Sequence, residues 1–389
     1  MEFSLHTYLQ HLRHEGASRD FIDAVHRNAA PLATRNLPIL LTLGQLAYIA
    51  EMPYRDLLHI IERQIDPYRV FAIRKRRGGR RFICVPEPQL LSVQRWIHEH
   101  ILCSLHSLCS LSEHATAFRP GSSHIANARK HLSAPCILKL DITRFFESIS
   151  ERQVYRIFRG FGYRAQVAFG LARLCTRVLP RSEDHRWRRK TKRWQTGEYR
   201  KFLSSHVVGH LPQGAPTSPM LANLVCRMLD VELQKIADRE GLIYTRYADD
   251  MTFSGVINNR VAATMIINEI SKIVGKYGFG INSQKTNIVK NGGRKIVTGL
   301  SVEDGVVRLP RFYKDKIRQE LYFINSYGLK DHCSRIGQKN HLSYLMRLVG
   351  RIRYATLIEP DIGTNLMVKF EELFPDFCQL NEILAVEAE

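Results

Sequence analysis

The chain has 389 residues, 44% of them hydrophobic, enough for a real core; this excludes a disordered protein and by length suggests two or three lobes. Its formal net charge is +20 and its sequence pI about 9.8, so a polyanion is the expected partner, nucleic acid ahead of an acidic membrane surface. No apolar run reaches the roughly 18 to 20 residues that span a bilayer, and the N-terminus lacks the pattern of a signal peptide. A soluble cytoplasmic protein without membrane contact is therefore expected.

Residues 1 to 66 space their apolar positions at three and four in "FIDAVHRNAA" and "MPYRDLLHIIERQI", which predicts a helical N-terminal extension. The period then changes. "YRVFAIRK" and "RFICVP" read as strands around "RRGG", a hairpin with a strongly basic tip suited to phosphate. "PQLLSVQRWIHEHILCSLHSL" is predicted as one helix. Its His98, His100, Cys103, His106 and Cys109 match no zinc template, and the eight cysteines of the chain form no C-x-x-C pair.

"CILKLDITRFFESIS" is predicted as a strand with Asp141 near its end, and "ERQVYRIFRGFG" as a helix closed by glycine. Residues 181 to 201 hold nine Lys/Arg against three Asp/Glu, with Trp187 and Trp194. That is an exposed insertion, readable equally as a surface loop or as a nucleic-acid contact. From Ser218, expected as an N-cap before Pro219, one helix is predicted through Leu221, Val225, Leu229, Leu233 and Ile236 to Gly241. "LIYTRYA" and "MTFSG" read as strands joined at Asp249 and Asp250. A further helix, the short strands "KTNIVKN" and "KIVTGLSV", and a basic helical remainder from about 311 follow.

Adjacent carboxylates repel and hold each other's pKa up unless a cation neutralises them. Aspartate pairs in turns usually face water, but this pair is bracketed by strands, and Asp141 ends a third. Placed side by side in one sheet, the three would suit two magnesium ions, hard cations that leave positions for phosphate. The chemistry implied is nucleotidyl transfer or its reverse, phosphodiester hydrolysis. Basic charge and aspartates do not separate polymerase from nuclease.

The ordered segments resemble a reverse transcriptase. "RKRRGGRRFICVPEPQLLSVQRWI" is similar to the fingers motif, "ILKLDITRFFESI" to the motif of the first catalytic aspartate, and "LPQGAPTSPMLANL" to the nucleotide-binding loop and helix. "YADD" resembles the Y-x-D-D turn and "GFGINSQKT" the following palm segment. "NARKH" at 127 to 131 and "VTG" at 297 to 299 match the two signatures of bacterial retron enzymes. "GRIRYATLIEP" resembles the thumb, with "EPD" where the family usually has N-P-E.

The resemblance implies an α+β right-hand polymerase with fingers, a palm carrying an antiparallel sheet, and a helical thumb. The expected division is an extension at 1–66, fingers at 67–135, palm at 136–310 with the insertion 181–206, and thumb at 311–389. Asp141, Asp249 and Asp250 would be catalytic and would hold two Mg²⁺. Phe146 would be the steric gate against a ribose 2′-hydroxyl. Gln213, Gly214, Ala248, Lys285, Arg74 and Arg80 would line the deoxynucleoside triphosphate, and Asn127, His131, Val297, Thr298, Gly299, Arg351 and Arg353 would meet RNA. The activity implied is RNA-directed DNA synthesis on a cognate noncoding RNA, primed from an internal guanosine 2′-hydroxyl and giving a branched RNA–DNA hybrid (msDNA), in an anti-phage system with a separate effector protein. A group II intron-type reverse transcriptase and a catalytically idle RNA-binding scaffold are the alternatives.

Overall fold

The computed structural model describes residues 4–74, 80–178, 208–303 and 305–375. Most of the predicted basic hairpin tip and the insertion at 181–206 lie outside them. The chain divides into two units, one of Met1–Ser122, Lys139–Met251 and Asn259–Thr286, the other of Ser123–Leu138, Thr252–Asn258 and Asn287–Glu389. Among the described residues no helix is long and apolar enough to cross a membrane.

The first unit begins with α1 (Leu5–His14), α2 (Arg19–Ala33), α3 (Leu43–Ile49) and α4 (Tyr54–Ile61). The side chains of Ser4, Ser18 and Thr42 accept N–H bonds at the first three starts, which satisfies donors a helix leaves free. The expected hairpin is present as antiparallel β1 (Tyr68–Arg74) and β2 (Arg80–Pro86), whose register sets Arg74 opposite Arg80.

Where one helix was expected after β2, the chain makes α5 (Pro88–Trp96), a π-helical turn (Ile97–Leu102), a break, and the short α6 (Leu105–Cys109). The serine hydroxyls of Ser104 and Ser107 both donate to the carbonyl of Ile101, at 2.7 Å each, and compete with helix continuation. In the second unit α7 (His124–Arg129) starts on Ser123, whose hydroxyl accepts from the Ala126 N–H. Then comes β3 (Cys136–Asp141).

Next, α8 (Glu151–Phe161) opens with a Ser150/Gln153 capping box and ends at Gly162, whose φ of 108° only glycine adopts freely. It packs on α9 (Ala165–Cys175). The long helix expected from Ser218 is two: α10 (Ser218–Val225) and α11 (Arg227–Arg239), separated at Cys226. Ser218 is not the cap; its hydroxyl donates to the carbonyl of Pro212 at 2.7 Å. The strands β4 (Leu242–Tyr247) and β5 (Asp250–Gly255) flank the aspartate turn, and α12 (Arg260–Lys276) follows. With β6 (Asn287–Val289) they form a four-stranded sheet in the order β4-β5-β3-β6.

"KIVTGLSV" is a hairpin rather than one strand: β7 (Ile296–Val297) pairs antiparallel with β8 (Leu300–Ser301), and Thr298 and Gly299 form the turn at φ of 47° and 86°. Two positive φ values in a two-residue loop match the right-handed twist of the strands. The rest of this unit is α13 (Arg311–Arg335), broken at Gly328, then α14 (His341–Ile358) and α15 (Pro360–Leu373). Val297, Leu300, Ile317, Tyr344, Ile352 and Phe370 are among its core.

Candidate active site

Alternation along β3 buries Leu138 and Leu140 and leaves Lys139 and Asp141 on the other face. The backbone then joins the acidic segments. The Ile142 N–H donates to the carbonyl of Asp249 at 2.9 Å, and the Asn282 N–H donates to that of Asp141 at 2.8 Å. Between β4 and β5 the turn is tight enough to hold Ala248, a residue with a Cβ, at φ of 57°.

Each end of this acidic group has a cation. Lys285 Nζ lies 2.8 and 2.9 Å from the two carboxylate oxygens of Asp141, and Lys139 Nζ lies 3.2 Å from Asp250. Three carboxylates against two ammonium groups keep an excess of negative charge. Burial, then the charge of Asp141, raises the Asp249 carboxyl above its usual range. Burial also raises Asp250, against the opposing pull of Lys139. A further cation would relieve both.

The donor set is hard carboxylate oxygen, which suits a divalent cation such as Mg²⁺. Among the described residues no group of three or more His, Cys, Asp or Glu forms a ready-made metal cage. That is compatible with Mg²⁺, which is commonly bound through one or two carboxylates together with substrate phosphates.

The other predicted nucleotide-site residues also lie in the first unit. Phe145 is 3% exposed and packs on Phe279, with ring centroids 6.0 Å apart, whereas Phe146 is only half-buried. Of these two adjacent rings Phe145 is therefore core. The carbonyl of Gln213 accepts from the Cys84 N–H at 2.7 Å, docking the loop on β2. Gly214 makes that approach possible, since a Cβ there would stand 2.8 Å from Ile83 Cγ2 and 2.9 Å from the Cys84 carbonyl oxygen. Arg74 and Arg80 are exposed and directly opposed, a placement that an anion between them would favour.

In the second unit the Thr298 hydroxyl donates to the carbonyl of His124 at 2.8 Å, which ties the β7–β8 turn carrying one signature to the start of α7, the helix in which the other begins. The side chains of Asn127 and His131 are not at the surface as an RNA contact would require. They are 1% and 0% exposed, and His131 Nδ1 lies 2.6 Å from the Ser254 hydroxyl. Val297 is fully buried, and Gly299 is exposed. Arg351 is held by Glu320 at 2.6 Å, whereas Arg353 is exposed.

Sequence reasoning missed Lys139, though its position two residues before Asp141 on a strand was a usable signal. It also missed Arg246, Asp230 and Asn223. Arg246 and Asp230 are both fully buried; the guanidinium Nε and Nη2 each donate to the Asp230 carboxylate at 2.7 Å, and Nη1 donates to Asn223 Oδ1 at 3.1 Å and to the carbonyl of Ala248 at 3.2 Å. This group holds the aspartate turn from beneath.

A strand-end aspartate beside an aspartate turn, on an antiparallel sheet with helices packed against it, defines the palm of a nucleotide polymerase. A family model, "Reverse transcriptase (RNA-dependent DNA polymerase)", matches residues 73–324. The chain is 27% identical to the retron Ec86 reverse transcriptase of Escherichia coli over 357 residues, covering 89% of this chain and 98% of that one. It is 32% identical to the retron Ec73 reverse transcriptase of Escherichia coli over 80% of this chain and 89% of that one. With the retron Mx162 reverse transcriptase of Myxococcus xanthus it shares 31% identity, over 80% of this chain and 62% of that one. The chain belongs to the bacterial retron reverse transcriptases, and it is an RNA-directed DNA polymerase with a right-hand α+β fold. Its template is RNA, its substrates are deoxynucleoside triphosphates, and its family generally depends on a divalent metal.

Proposed function

We propose that this enzyme copies part of its own structured noncoding RNA, beginning at the 2′-hydroxyl of an internal guanosine, and so makes a branched RNA–DNA hybrid (msDNA). The hybrid and enzyme would act in the cytoplasm as part of an anti-phage unit with a separate effector protein. The observation that carries this reading is the hydrogen bond from Thr298 to the His124 carbonyl, which joins the two segments bearing retron signatures. Burial of Asn127 and His131 makes them internal braces of that segment, and leaves RNA contact to exposed neighbours such as Arg129, Lys130 and Gly299. Arg353 would add phosphate contact, while Arg351 is engaged by Glu320.

In this reading Asp141, Asp249 and Asp250 hold two Mg²⁺ ions. Bound there, the ions would supply activation of the attacking hydroxyl and charge stabilisation of the pyrophosphate leaving group. Lys285, an exposed ammonium paired with Asp141, would give a proton to the departing pyrophosphate. Arg74 and Arg80 take the triphosphate, Gln213 and Gly214 border the nucleotide, and Ala248 faces the primer end. The extension 1–66, fingers 67–135, palm 136–310 and thumb 311–389 are the domain division of the same proposal.

The nucleic acid that copurifies with the protein tests it. Expressed with its native flanking locus, the enzyme should carry a short single-stranded DNA joined to RNA by a linkage that a debranching enzyme cleaves. Only linear DNA or RNA would overturn the branched product. Phe146 is the gate because its ring is the half-buried member of the phenylalanine pair. Phe146→Ala should raise ribonucleotide use relative to deoxynucleotide use by on the order of a hundredfold in single-nucleotide incorporation assays; unchanged sugar selection would place the gate elsewhere.

A further inference from the structure

Phe118 combines two features that the known activity leaves unexplained. It is a large aromatic side chain, 43% exposed, yet its backbone stands in the left-handed region at φ of 57°. A bulky residue persists there only where its surroundings over-determine the conformation, and such residues cluster at active sites and ligand clamps.

The surroundings here do over-determine it. The buried Asn223 side chain donates to the carbonyl of Ala117, one residue before Phe118, at 2.7 Å. The Thr116 N–H donates to the carbonyl of Arg246 at 2.9 Å, and the Arg246 N–H donates to that of His114 at 2.8 Å. Beyond Phe118, the Ser122 hydroxyl donates to the carbonyl of Thr116 at 2.8 Å and closes the loop. Asn223 Oδ1 in turn accepts from Arg246, the residue that also supports the Ala248 turn. One buried group therefore fixes both Phe118 and the aspartate turn.

The Phe118 ring is directed to Phe146. Their centroids are 6.3 Å apart with the planes tilted by 51°, and Phe146 also meets the buried Phe145 at 5.4 Å and 58°. These are the offset and tilted geometries that aromatic pairs favour. Phe146 thus has two ring neighbours, the buried Phe145 and the conformationally fixed Phe118. Removing Phe118 would leave the Phe146 ring free to swing away.

We propose that Phe118 is a second specificity-determining residue of the nucleotide site, fixing the Phe146 ring in the position from which it excludes a ribose 2′-hydroxyl. This rests on the reading of Phe146 as the gate. The same geometry makes Asn223 the positioning residue for Phe118.

The test uses Phe118→Gly, because glycine adopts the left-handed angle without strain and the exposed ring contributes little core. Single-nucleotide incorporation is measured with deoxy- and ribonucleoside triphosphates on a primed RNA template, alongside thermal melting. Discrimination should fall about three- to tenfold, mostly through a lower KM for the ribonucleotide, with the melting temperature retained. Phe118→Tyr should restore it. In Phe118→Gly/Phe146→Ala the loss should not exceed that of Phe146→Ala alone, since both act through one ring.

Undiminished discrimination in Phe118→Gly beside relaxed discrimination in Phe146→Ala would overturn this inference and leave Phe146 as the gate. Undiminished discrimination in both would remove the gate reading and this inference with it.

Discussion

Asp249→Ala should lower the rate of nucleotide incorporation roughly 10³-fold or more, with RNA affinity and fold retained. The carboxylate lies beside Asp141 and Asp250, and its raised pKa marks a charge that burial and Asp141 make costly. The direction matters for stability. A carboxyl whose folded pKa lies above the unfolded one opposes folding once it ionises, so at neutral pH the alanine variant should melt no earlier than the parent. Added Mg²⁺ should raise the melting temperature of the parent, since a ligand that binds only the folded state stabilises it, and the increase should shrink in the variant. Wild-type incorporation rates in Asp249→Ala would end the assignment of catalysis to this turn; an undiminished Mg²⁺ response would place the ion elsewhere.

Arg246→Met should destabilise the protein by about 3–5 kcal/mol, read as a shift in the denaturation midpoint. That is a large part of the 5–15 kcal/mol that holds a typical domain folded. Burial pulls the pKa of the guanidinium down, but the Asp230 carboxylate more than offsets this, so Arg246 stays protonated with both side chains fully buried. Removing the arginine leaves a buried carboxylate that still accepts from the neutral Tyr244 hydroxyl, at 2.9 Å. The double replacement Arg246→Met/Asp230→Leu should recover most of the stability, because two apolar groups need no partners. Activity should stay low even then, since the Ala248 carbonyl has lost its donor at 3.2 Å. Full activity in the double variant would show that the turn keeps its shape without Arg246.

Local chemistry explains why much of the site could be read along the chain. "CILKLD" alternates until it ends in an acid, "YADD" interrupts two strand-like runs, and the basic hairpin announces itself by composition. The reading failed where partners are distant or a break has no Gly or Pro to mark it. The separation of α10 from α11 at Cys226 is one case, and the serine bonds to Ile101 that break the preceding helical run are another. "KIVTGLSV" does carry a glycine at its turn, but the β-branched Thr298 before it reads as strand, although its φ of 47° turns the chain.

The sequence by itself determined the polyanion partner, the three aspartates and the order of polymerase segments, because charge and short motifs are properties of neighbours along the chain. Only the tertiary structure decided which lysine faces which aspartate, which of Phe145 and Phe146 is core, and that Arg246, Asn127 and His131 lie inside. A charged or polar side chain looks the same in a sequence whether it meets water or a buried partner. Burial is set by the elements packed over it, and for Arg246 those are α11, which brings Asp230, and α10, which brings Asn223.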